Sequence, residues 1–234
     1  IVTIVFISKF VYFNNQQSTV STANFIKKTD VEVKPSVNVQ KNKILNKINE
    51  VKPNEAGKIM IVMFHNFVES FNATKQDDGQ YTTTFADFKK LLFSLYEAGY
   101  RLISLNEYIE NNINVAEGCT PIIFTFDDAT SGQFSLIEEN GKLIVNKNSA
   151  VYIMEEFKEK YPDFGLKATF YINLGLSTFN GAGTIKDRLN YLKEKGFEIG
   201  NHTYSHKNLS TLNTLTDIYK EIGQNQKKLE EFLP

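Results

Sequence analysis

Ile59-Met60-Ile61-Val62-Met63-Phe64 is an unbroken apolar run that stops at His65-Asn66. A strand buried on both faces reads this way, and such strands belong to parallel sheets. Working outward, Ile122–Phe126 (IIFTF) follows Pro121, repeats the pattern and stops at Asp127-Asp128. Tyr100–Ser104, Lys167–Ile172 and Phe197–Ile199 read as further strands. Helices fall between them. Thr84 can cap one over Phe85–Ala98, whose Phe88, Leu91, Leu92 and Leu95 keep helical spacing and which Gly99 ends. Others are expected at Asn106–Asn111, Val151–Tyr161, Ile185–Lys195 and Leu215–Phe232. Strand–helix alternation with apolar strands predicts an α/β fold around a parallel sheet, open or closed into a barrel. One insertion breaks the rhythm: Gln133–Ile137 and Lys142–Asn146 flank Glu139-Asn140-Gly141, a hairpin signal.

The 234 residues suit one large domain or a domain with a tail. Hydrophobic residues at 41% and charged residues at 23% exclude disorder throughout and a multi-span membrane protein. Lys+Arg of 26 against Asp+Glu of 27 leaves no electrostatic footprint for nucleic acid. Cys119 is the only cysteine, which excludes an intrachain disulfide and a cysteine-based zinc site.

The ends of the chain read differently from its middle. Ile1–Phe13 is apolar apart from Thr3, Ser8 and Lys9, yet as a helix it would span only about 20 Å. It is expected to be the remnant of a signal peptide or N-terminal membrane anchor, which would put the rest in an extracellular or cell-surface location. Residues 14–57 read as a polar, Lys- and Asn-rich spacer with no sustained period. Residues 58–234 then form the domain. Lys27–Lys52 carries seven Lys against Asp30, Glu32 and Glu50, a local +4; taking that and Lys9 from the overall −1 leaves −6 for residues 53–234. The chain stops at Pro234 as a helix finishes, so a C-terminally incomplete fold is expected.

Three strands end in polar residues that a core does not need: His65, Asp127-Asp128, and Asn201-His202-Thr203-Tyr204-Ser205-His206. In parallel α/β folds the carboxyl ends of the strands share one face, and sites are built there. All three histidines of the chain lie in this set. His202 and His206, four residues apart in a turn of backbone, can reach one ion, and a carboxylate would complete a His₂-carboxylate site with room for water. Adjacent carboxylates point in different directions, so one of Asp127 and Asp128 can bind metal while the other acts as a general base. His65 on the same face suits a general acid. Each motif has a plainer reading, as capping histidines, a turn-forming Asp pair and a hydrogen-bonded core histidine; their shared face favours chemistry.

Thr125-Phe126-Asp127-Asp128 and His202-Thr203-Tyr204-Ser205-His206 resemble the first two motifs of the polysaccharide deacetylases, the NodB-homology or carbohydrate esterase family 4. Lys167-Ala168-Thr169-Phe170-Tyr171 and Gly196–Asn201 resemble the segments between them, so the likeness runs from about Lys58 to the end. The resemblance implies a distorted (β/α) barrel. It implies that Asp128, His202 and His206 bind a divalent metal, zinc first, with cobalt or nickel as other candidates. Asp127 would be the catalytic base in removing N-acetyl groups from a polysaccharide containing N-acetylglucosamine. Ile61–Asn66 resembles the opening strand of the circularly permuted members, such as poly-N-acetylglucosamine deacetylases, in which the histidine there is the general acid; His65 takes that place. Two departures stand out. Ala129-Thr130 follows the Asp pair where the family has Gly, so a differently shaped loop is expected. The third, Arg/Pro-containing motif has no counterpart before Pro234, so this length of chain is expected to be weakly active or inactive. The partner implied is a polysaccharide, met by a monomer that touches membrane only through an N-terminal anchor. The alternatives are a catalytically inactive glycan-binding protein on the same fold, and deacylation of another acylated substrate.

Overall fold

The computed structural model describes residues 59–71 and 81–233. The expected leader and the whole of the expected spacer lie outside the described residues. Five parallel strands make the central sheet: β1 (Met60–Phe64), β4 (Tyr100–Leu102), β5 (Thr120–Asp127), β8 (Thr169–Ile172) and β9 (Glu198–Asn201). The order is β1-β5-β8-β9, with β4 paired to the start of β5. β5 is the centre. Its residues Ile122–Asp127 are all buried, as a strand covered on both faces requires. β1 departs from the expectation of two buried faces: Val62 and Phe64 are buried while Ile61 and Met63 are only partly covered. Among the described residues β1 and β9 are edges and do not pair with each other, so the described sheet is open.

The helices begin where capping chemistry puts them. Thr84 accepts the Asp87 N–H at the start of α1 (Phe85–Glu97), which buries Phe88, Leu92 and Leu95. β4 is shorter than expected because Ser104 is used as the cap of α2 (Leu105–Ile109), in a capping box with Glu107. α3 (Ala150–Lys160) is capped by Ser149 and α4 (Ile185–Glu194) by Thr184. α5 (Leu215–Phe232) has the bounds read from the sequence.

The hairpin is present but narrower than expected, as β6 (Leu136–Glu139) and β7 (Lys142–Val145). Asn140 (φ 52°) and Gly141 (φ 72°) form the two-residue turn, with Glu139 opposite Lys142. Gln133 and Phe134 lie in a turn before it. A short parallel pair, β2 (Asn66–Val68) with β3 (Thr82–Thr84), was not anticipated; three residues give too little pattern to read.

The core is built from phenylalanine. Phe126 stacks on Phe170 at 4.7 Å and on Phe64 at 5.3 Å between ring centroids, Phe67 meets it tilted and Phe88 edge-on, and Phe124 meets Phe64 edge-on. These rings lock β1, β5 and β8 just before their polar ends. No helix among the described residues is long and apolar enough to cross a membrane.

Candidate metal centre and its acid–base pair

Parallel register decides where the polar strand ends go. Phe64 is level with Phe126, Asp127 with Tyr171, and Ile172 with Asn201. His65, Asp127, Asp128 and His202 therefore leave one edge of the sheet together. Asp127 is the last residue of β5 and 8% exposed. Asp128 turns out of the strand with φ 76°, and Ala129 keeps the left-handed conformation at φ 49°. The loop thus takes a glycine-like path although it carries Ala, at the cost of strain that such positions concentrate near functional sites.

Asp128 Oδ1 lies 3.4 Å from His202 Nε2 and 3.3 Å from His206 Nε2. One ligand atom from each of the three residues lies within 4.8 Å of the others. Asp128 Oδ1 is buried and has no well-formed hydrogen bond. A buried carboxylate oxygen facing two imidazole nitrogens without a bond to either is the donor set of a cation site. Residues and metal therefore fit. The His202 imidazole holds the Asp128 carboxyl below its usual range, and Asp128 in turn raises His202.

Asp127 faces elsewhere. Its Oδ2 lies 3.9 Å from His65 Nε2 and 4.0 Å from His202 Nε2. Burial pushes its carboxyl above the usual range, and the nearby histidines offset this only in part. The His65 ring meets the Tyr81 ring edge-on at 5.1 Å. All five residues singled out in the sequence thus converge, in two groups that meet where Asp127 Oδ2 approaches His202 Nε2.

Several supporting residues were not read from the sequence. Gln133, fully buried, donates through Nε2 to the backbone oxygens of His65 (2.5 Å) and Asp127. Asn173 donates to the carbonyls of His202 and Thr203. It directly follows β8, so the rule that found the other strand ends could have found it. From α5, Glu221 accepts the Ser205 N–H (2.8 Å) and hydroxyl (2.6 Å). Asn225 donates to Ile172 O (2.7 Å) and Asn201 Oδ1 (2.8 Å) and accepts the Leu174 N–H (2.8 Å). Gly200 leaves room for Tyr171, whose ring a Cβ there would strike.

The chain shares its fold with a Streptococcus pyogenes deacetylase, PplD, solved in complex with acetate: 20% identity, TM-score 0.55, covering 75% of this chain and 69% of that one. It also resembles BC0361, a polysaccharide deacetylase from Bacillus cereus: 19% identity, TM-score 0.53, covering 74% of this chain and 46% of that one. No curated protein sequence matches significantly. The polysaccharide deacetylase family profile matches residues 114–234, a span that contains Asp127, Asp128, His202 and His206 but not His65. That match covers just over half of the sequence, and by it the chain belongs to the polysaccharide deacetylase family.

Proposed function

We propose that the chain is a metal-dependent hydrolase that removes N-acetyl groups from an extracellular polysaccharide containing N-acetylglucosamine. The observation that carries this is the convergence of two groups on one strand-end face. Asp128, His202 and His206 present three ligand atoms within 4.8 Å, and beside them His65 and Asp127 stand 3.9 Å apart. A divalent cation held by the three ligands, zinc before cobalt or nickel, would polarise the acyl carbonyl and acidify water.

Asp127, buried and with its carboxyl held upward by that burial, is suited to accept a proton from water at Oδ2. His65, across the same oxygen, is suited to deliver a proton to the departing amine nitrogen. The balance is an amide and water giving acetate and an amine. His65 directly follows β1, the first of the described strands, which supports placing the chain with the circularly permuted members. The apolar run Ile1–Phe13 ahead of a Lys-rich segment supports a cell-surface location.

The test is acetate release from N-acetylglucosamine oligomers by the zinc-loaded full-length protein, beside Asp127→Asn. Release that vanishes in the variant establishes the reaction. Bound zinc, a folded domain and no release from any such oligomer would move the protein to another acyl substrate or to glycan binding.

A further inference from the structure

The ladder between β1 and β5 ends at Phe64 opposite Phe126. One step later, past the end of that ladder, His65 O and Asp127 O both receive the side-chain amide of Gln133. Gln133 is 0% exposed, and its own backbone is fixed on both sides: its N–H donates to Thr130 O (3.1 Å), and its carbonyl accepts the Val151 N–H (3.0 Å) at the start of α3. Thr130 Oγ1 adds a second bond to His65 O (3.0 Å).

Only a group with two N–H bonds on one atom can serve two acceptors in this way. A carboxylate has no donor, a hydroxyl has one, and an apolar side chain would leave His65 O with the Thr130 hydroxyl alone and nothing tying it to Asp127 O. The backbones so tied belong to the two residues whose side chains stand 3.9 Å apart across Oδ2. The geometry points to Gln133 as a positioning residue: its amide clamps the ends of β1 and β5 so that His65 and Asp127 keep a working separation. This rests on the assignment of His65 as acid and Asp127 as base.

The test uses zinc-loaded protein with two acetyl substrates. An N-acetylglucosamine oligomer must have its leaving amine protonated, whereas p-nitrophenyl acetate has a leaving group that departs without an acid. Gln133→Met keeps the length and bulk but removes both donors. Its kcat on the oligomer is expected to fall about 10- to 100-fold, with KM and zinc stoichiometry near wild type and ester hydrolysis far less affected. His65→Ala in the same assay is expected to show the same selectivity. If His65→Ala is selective and Gln133→Met loses both activities equally, or neither, Gln133 is a packing residue and the inference is overturned. If His65→Ala is itself unselective, the acid assignment fails and the inference goes with it. Thr130→Val removes only the second bond to His65 O; its smaller, equally selective loss reads the same clamp should Gln133→Met not fold.

Discussion

Asp127 and Asp128 are neighbours whose surroundings push them apart chemically. Asp127 ends a buried strand, and lost hydration raises its carboxyl; Asp128 turns through a left-handed conformation toward two imidazoles, and their proximity lowers it. The expected consequence is a clean division between variants. Asp127→Asn should keep zinc at wild-type stoichiometry and lose turnover by about 10²- to 10⁴-fold, the scale of a general base. His206→Ala removes one of three ligands and should lose zinc at equilibrium dialysis, with activity following the metal. These residues were legible because an apolar strand has no need of a charged end. Gln133 was not legible. A glutamine in a loop carries no period, and its role exists only because two strands distant in sequence end side by side.

At the level of elements, α5 shows how far the sequence could be read. Its length and cap were plain, but Glu221, Asn225 and Leu229 are its buried residues, and two of those three are polar. Hydrophobic spacing therefore located the helix without revealing its purpose, which is to hold the histidine loop. Asn225 joins α5 to Leu174, Ile172 and Asn201. Asn225→Ala orphans the buried Leu174 N–H, at about 1–3 kcal/mol, and takes from Ile172 O one of its two hydrogen bonds, worth about 1 kcal/mol, leaving it the His202 N–H. At roughly 2–4 °C per kcal/mol for a domain of this size, melting should fall by about 5–15 °C. A circular-dichroism melt checks this; a drop under ~2 °C would mean that water replaces the side chain there. The sheet was legible for a related reason. Parallel strands need cover on both faces, so β5 shows as an apolar block, whereas β2 and β3 are too short to show any pattern.

By the proposed function, folding of the whole molecule is coupled to the metal, because the three proposed ligands come from two loops separated by more than seventy residues and brought together only by the parallel order β5-β8-β9. An unfolded chain does not present that triad, so a cation binds the native state and stabilises it by RT ln(1 + [metal]/Kd). At a free zinc concentration a hundred times Kd this is about 2.7 kcal/mol. The gain should appear as a rise in melting temperature of about 5–10 °C over chelator-treated protein. Two variants separate this from nonspecific zinc binding. Asp127→Asn leaves all three ligands in place and should retain the shift while losing catalysis. His206→Ala should lose most of it, because a two-ligand remnant binds far more weakly. A shift of equal size in wild type and His206→Ala would place the stabilising metal elsewhere on the chain. Parallel loss in His206→Ala, His202→Ala and Asp128→Ala, against retention in Asp127→Asn, would tie stability and chemistry to the same three atoms.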